Sequence, residues 1–239
     1  MDQGSPRFQT THWSVVLAAA SGSSPHARAS LEELCTRYWF PLYAHARRRG
    51  RSEDTARDDV QDFFASLLDR NAIQAATPER GRFRSFILRS FENHLHNQHA
   101  RATAQKRGGG TTHLRLDENP ALLKSVELGH NINPEFLFER DWTLTLLRRV
   151  LMELEDEYAQ RGQHGLFVAL REELGGRSVP HKELASTLGM TEGSVRVASH
   201  RLRARYGDKL RAAVADTLED GADVEAELRG LLATLGGPP

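Results

Sequence analysis

The sequence predicts an all-α protein: two helical domains joined by a flexible linker, the second containing a helix-turn-helix. Three observations lead there. Apolar residues recur at helical spacing along most of the 239 residues, and strand signals are sparse. A polar, glycine-bearing stretch then interrupts the periodicity near the middle of the chain. Finally, His181–Leu202 has a small residue, a turn glycine, a cap and an apolar inner face in the order a helix-turn-helix needs.

Residues 1–24 form an N-terminal extension that includes Phe8, His12 and Trp13. The first domain is drawn at residues 25–105. Leu31, Leu34, Cys35, Tyr38, Trp39, Leu42, Tyr43 and Ala46 make one continuous apolar stripe. Arg47, Arg48 and Arg49 follow, suited to a helix C-terminus, and Gly50 ends the helix. Val60, Phe63, Phe64, Leu67 and Leu68 make a second stripe, and Phe83, Phe86, Ile87, Phe91 and Leu95 a third, entered through Gly81. Three amphipathic helices this rich in aromatic residues can bury one core.

Residues 106–134 read as the linker, with Gly108, Gly109, Gly110 and Thr111 near its start and Asn131, Asn133 and Pro134 closing it; a short helix over Pro120–Leu128 is compatible with its composition. The second domain is drawn at residues 135–218. Its helical pattern runs from Phe136 through Trp142, Leu146, Val150 and Leu154, continues at Leu166, Phe167 and Leu170, and stops at Gly175–Gly176. In the helix-turn-helix, Ala185 is the small contact residue, Gly189 takes the left-handed turn, and Thr191 caps the next helix. Leu184, Leu188, Met190, Val195 and Ala198 face inward, while Ser194, Arg196, His200, Arg201, Arg203 and Arg205 are donors suited to a major groove. Gly207 is expected to end that helix, and Leu210, Val214 and Leu218 to begin another. Residues 219–239 read as a final amphipathic helix.

Lys and Arg total 32 and so do Asp and Glu, so the chain is not a uniformly basic coat for nucleic acid. The charge is segregated instead. Between Arg80 and Arg115 eight basic residues stand against Glu92 alone, whereas Asp216, Glu219, Asp220, Asp223, Glu225 and Glu227 make the end acidic. Counterion release is local to a contact, so segregation matters more than the sum. The single cysteine, Cys35, excludes an internal disulfide framework and reads as a buried small hydrophobe. No apolar run reaches membrane-spanning length and Met1–Thr10 lacks a signal-peptide core, so a cytoplasmic protein is expected.

Catalytic constellations are not recognisable. Gly108–Gly110 lacks the Lys-Ser/Thr ending of a phosphate loop, and no nucleophile–base set stands out. His94, His96 and His99 invite a metal, but His94 joins the other two poorly and no nearby cysteine completes a tetrahedral set. The chain is therefore read as a non-enzyme without metal or cofactor. Arg82, Arg84, Arg89 and Arg101 are interleaved with core aromatics, so phosphate contact competes with a solvated helix face. Asn93 and Asn97 fall one turn apart, where amides suit either exposed base edges or plain surface.

In three stretches, taken in order, the chain resembles the extracytoplasmic-function sigma factors of bacterial RNA polymerase. Ala56-Arg57-Asp58-Asp59-Val60-Gln61-Asp62-Phe63-Phe64 looks like their acidic polymerase-docking helix. Gly81-Arg82-Phe83-Arg84-Ser85-Phe86-Ile87-Leu88 running to Asn93, with Arg101, is similar to their helix over the melted edge of the −10 element. His181-Lys182-Glu183-Leu184-Ala185 through Thr191-Glu192-Gly193-Ser194-Val195-Arg196 to His200-Arg201-Leu202 looks like their −35 reader. One departure concerns the small acidic cluster that usually opens the docking helix: Thr55, Ala56, Arg57 and Asp58 stand there.

The resemblance implies core RNA polymerase and promoter DNA as partners. Residues 25–105 would be the polymerase- and −10-binding domain and residues 135–218 the −35-binding domain. Asp58, Asp59, Gln61 and Asp62 would meet polymerase; Arg84, Asn93, Asn97, Arg101, Lys106 and Arg107 would hold the −10 region. Thr191, Ser194, Arg196, His200, Arg201 and Arg203 would serve the −35 element, with Arg196, Ser194 and His200 reading bases and Arg201 and Arg203 holding phosphates. The missing acidity suggests a switch in which a Ser/Thr kinase modifies Thr55, or secondarily Ser52; an anti-sigma factor is the other candidate regulator. The rival readings are a stand-alone helix-turn-helix regulator, which would bind palindromic sites without polymerase, and a helical adaptor independent of DNA.

Overall fold

A computed structural model describes residues 25–69, 82–104, 133–177, 180–218 and 221–237. The N-terminal extension, the linker up to residue 132 and the short helix expected at Pro120–Leu128 lie outside them. Among the described residues there is no strand, so the all-α class holds. The α-helices are α1 (Pro25–Arg48), α2 (Glu53–Asp69), α3 (Phe83–Ala104), α4 (Pro134–Gln160), α5 (His164–Leu170), α6 (His181–Leu188), α7 (Glu192–Ala215) and α8 (Val224–Ala233). Short 3-10 turns follow α5 at Arg171–Gly175 and α8 at Thr234–Gly236.

Cα packing divides the described chain into two compact units. One takes the residues up to Thr145 together with those from Ala215 onward; the other is Leu146–Val214. The division falls inside α4 and near the end of α7, not at the expected boundaries, and α8 groups with the first unit. Side chains explain both placements: Glu139 and Asp141 of α4 and Glu227 of α8 pair with arginines of the first unit.

The first unit is built on aromatic packing between α1, α2 and α3. Tyr38 meets Phe83 edge-on at 5.5 Å, Phe63 meets Phe91 at 5.2 Å, and Trp39 stacks on Tyr43 at 5.1 Å. Each such pair adds about 0.5–1.5 kcal/mol beyond the area it buries. That packing carries α1 straight through Pro41, which lacks a backbone donor and costs an isolated helix about 3 kcal/mol. Cys35 is buried in this core, and burial pushes its thiol pKa up to about 12, so it packs as a hydrophobe. Asn133 caps α4, accepting from Glu135 N at 2.9 Å, with Pro134 at the first helical position where its missing donor costs nothing. Two turns later α4 is fixed to α1 by a two-pronged ion pair, Arg48 to Asp141, at 2.5 and 3.2 Å.

In the second unit Leu154, Tyr158, Phe167, Leu170, Ala185, Val195 and Leu202 form the core, flanked by Leu184, Met190 and Ala198. One expectation fails here. Gly207 does not end a helix: α7 runs unbroken from Glu192 to Ala215, and Gly207 is not among the positive-φ glycines. Leu202, Leu210, Ala213 and Val214 are buried at helical spacing on both sides of it, so packing overrides the roughly 1 kcal/mol glycine penalty.

His45, fully buried in the first unit, gives a pH test. Its ring lies edge-on to Phe91 and Phe138, and its Nε2 is 3.4 Å from Glu92. Burial, reinforced by the charges of Arg49 and Arg48, lowers its pKa to about 4. Below about pH 6.5 the unfolded chain binds a proton that the native ring refuses, so stability falls on acidification. The loss from His45 should approach about 1.4 kcal/mol per pH unit between pH 6.5 and 4. Asp59 and Asp141, raised by burial, act in the opposite sense, so the His45→Phe difference isolates the histidine. Denaturant unfolding across that range should show wild type losing stability relative to His45→Phe as pH falls; parallel curves would refute it.

Candidate nucleic-acid interface

The turn between α6 and α7 is set by local chemistry. Gly189 adopts φ +62°, which places Met190 N 2.9 Å from Ala185 O and closes α6. Two residues later Thr191 caps α7: its Oγ1 accepts from Ser194 N at 3.2 Å, and the two hydroxyls lie 2.8 Å apart. Val195, Ser199 and Leu202 turn inward and are buried. Ala185 is buried beside them, as the small contact residue must be.

The opposite face of α7 is exposed. It carries Ser194, Arg196, His200 and Arg201, with Arg196 tied only to Glu192 at 3.1 Å, an exposed pair worth a few tenths of a kcal/mol. Arg203 differs. Its guanidinium donates to Ser199 Oγ at 2.8 Å and lies 3.3 Å from Glu173, so it is partly committed inside the unit. Val197 sits between Arg196, His200 and Arg201 and is 49% exposed. Sequence reading passed over it as an apolar residue; counting turns from the buried Val195 and Leu202 would have put it outside. An apolar side chain on such a face suits the methyl group of thymine.

Glu173, from the 3-10 turn, fixes this face. Its carboxylate accepts from His181 Nε2 at 2.7 Å, at the start of α6, and from Ser199 Oγ in α7, while pairing with Arg203. Burial alone would raise its pKa; the hydrogen bonds from Ser199 and His181 and the charges of His181 and Arg203 outweigh that and hold it below the usual carboxylate range. The glutamate thus joins three elements through one side chain. Nothing in the local sequence pattern singled it out.

On the first unit, Asn93 and Asn97 are exposed on α3 together with Arg89 and His96. Arg84 is not available as expected: it is 3% exposed, pairs with Glu227 at 2.5 Å and Glu139 at 3.2 Å, and lies over the Trp142 ring at 5.1 Å. Arg101 belongs to the last turns of α3 without a described side chain, and Lys106 and Arg107 fall outside the described residues.

Helix α2, expected to dock on polymerase, also departs from expectation. Asp58 is exposed and Gln61 half-buried, and Asp62 is half-buried, accepting from Gln98 at 3.2 Å. Asp59, only 5% exposed, turns inward to Arg51 at 3.2 Å; burial raises its pKa despite that charge, so it is not a docking contact in this structure. Arg57, standing where the family's acidic cluster was expected, is held by Glu53 at 2.9 Å and Asp54 at 3.9 Å. Those two exposed acids lie in the first turn, where the helix dipole favours them, and the sequence reading overlooked them. Ser52 is the cap of α2: its Oγ accepts from Thr55 N at 3.2 Å and lies 2.8 Å from the Thr55 hydroxyl.

Among the described residues no helix is long and apolar enough to cross a membrane. Residues 31–212 match the family model described as ECF sigma factor, and the chain belongs to that family. Its members bind core RNA polymerase and promoter DNA in transcription initiation. No curated protein and no solved structure matches the chain.

The tie at Glu173 makes a specific contrast. Glu173→Ala strands His181, Ser199 and Arg203 and should cost about 1–3 kcal/mol of stability, whereas Arg196→Ala should stay within about 0.5 kcal/mol of wild type. Chemical denaturation of both variants checks this; equal stabilities would mean Glu173 is not an anchor.

Proposed function

We propose that this sigma factor reads the −35 element with the outer face of α7 and steadies the melted −10 region with α3. The observation that carries the reading is the exposed surface of a capped, rigidly anchored helix: Ser194, Arg196, Val197, His200 and Arg201 project together while the inner residues do the folding. Arg196, Ser194 and His200 would read base edges, and Arg201, with part of Arg203, would hold phosphates. Asn93 and Asn97, with Arg101, Lys106 and Arg107 beyond them in sequence, would contact the opened strand. Polymerase would be met by Asp58, Gln61 and Asp62, joined by Glu53 and Asp54 and without Asp59.

Control by phosphorylation deepens this reading. The Ser52 and Thr55 hydroxyls lie together at the N-terminus of α2, beside the acids assigned to docking. A phosphate on Thr55 would add a charge of about −1.5 to −2 where the helix dipole favours it, supplying acidity to the polymerase-facing end. A Ser/Thr kinase is the partner this requires.

Run-off transcription with core polymerase, on promoter fragments from the chain's own operon, is the test of the function. Transcription should require both proteins, which separates a sigma factor from a regulator that binds DNA alone. In the same assay Arg196→Ala should lose about 1–3 kcal/mol at the cognate −35 sequence and relax preference at one position. An unchanged ratio between cognate and altered −35 sequences would remove Arg196 from the reading set. For the switch, core-polymerase affinity should rise from Thr55→Ala and wild type to Thr55→Glu and highest to phosphorylated protein. Equal affinity across the four forms would dismiss it.

A further inference from the structure

The acidic end of the chain is not idle surface. Glu227 of α8 accepts from Arg82 at 2.6 Å and from Arg84 at 2.5 Å, at the opening of α3. We propose that α8 is a displaceable latch whose Glu227 carboxylate occupies the place of a promoter phosphate on Arg82 and Arg84. The inference rests on the reading that α3 faces promoter DNA and names a control on that same surface.

Charge supports a replaceable partner. Arg82 and Arg84 bring two positive charges to the site, and Glu139, 3.2 Å from Arg84 and 3.9 Å from Arg82, supplies one negative charge. With α8 docked, Glu227 makes the cluster neutral. With α8 away, one positive charge remains, which one phosphodiester would balance. A carboxylate and a phosphate offer a guanidinium the same paired oxygen acceptors, so one can substitute for the other without rearranging the arginines. Asp223 and Glu225 add further negative charge to the helix that would compete with nucleic acid.

Packing supports release. Beyond Glu227, Leu231 is the only buried residue of α8; Val224 and Leu228 are half-buried, and Leu232 is 42% exposed. A cleft of about 460 Å³, bordered by Arg82, Arg84, Thr217, Asp223 and Gly230, lies against the helix. With a single buried apolar anchor, α8 relies on the Glu227 ion pairs, so a polyanion that takes over those arginines would loosen it. Arg82 is itself half-exposed, which gives an arriving backbone a first contact before Glu227 leaves.

The test uses the full chain with core polymerase and a promoter duplex. Hydrogen exchange should show amides of residues 224–233 losing protection when DNA saturates the complex. Glu227→Gln should bind promoter DNA on the order of ten-fold more tightly, because a latch closed ten-to-one reduces apparent affinity by that factor. Leu231→Ser, which loosens α8 without touching the ion pairs, should shift affinity in the same direction and guards against a folding defect in the first variant. Unchanged protection on DNA binding, or wild-type affinity in both variants, overturns the latch while polymerase-dependent run-off leaves the sigma-factor reading intact. Tighter DNA binding by both variants with no polymerase-dependent transcription would reject that reading and keep the latch. No DNA binding by any form rejects both.

Discussion

A guanidinium that water cannot reach organises the first unit. An uncompensated buried charge costs several kcal/mol, so Arg84 needs an anionic partner beside it. It draws Glu139 from α4 and Glu227 from α8, and it covers the face of Trp142. Three helices far apart in sequence therefore converge on one side chain. Arg48 and Asp141 repeat the principle between α1 and α4. The core supplies most of the stabilisation, and the buried ion pairs decide which helices meet over it.

The second unit uses a carboxylate for the same purpose. Glu173 gathers His181, Ser199 and Arg203, so the angle between α6 and α7 does not depend on apolar contact alone. Apolar packing is non-directional and tolerates small rotations. Two hydrogen bonds and an ion pair do not. The groove-reading role proposed for α7 would gain from such a fixed orientation, because base readout depends on where the donors are placed.

What the sequence disclosed, and what it withheld, follows from range. Ala185, Gly189 and Thr191 were legible because a turn and a cap are decided within a few residues. The aromatic stripes were legible because periodicity marks a face. Arg84, Asp59 and Glu227 were not. A long cation on a core-adjacent position can face water or reach an acid 143 residues away, and spacing contains no information about which. Gly207 misled for a related reason: a breaker's local penalty is visible in sequence, while the packing at Leu202, Leu210 and Val214 that overrides it is tertiary. Glu53 and Asp54 were missed differently, because attention to one four-residue motif hid two acids immediately before it.

The division of α7 into an anchored inside and an unburdened outside bears on how such proteins diversify. Ser194, Arg196, Val197, His200 and Arg201 contribute little to holding the unit together, so substitutions there escape the destabilisation that constrains most mutations. If that face reads the promoter, as proposed, duplicated copies of the gene could drift at these five positions, acquire separate regulons and remain folded throughout. The same freedom is open to the bench: on that reading, a library confined to that face would yield mutually insulated promoter–factor pairs on one unchanged scaffold.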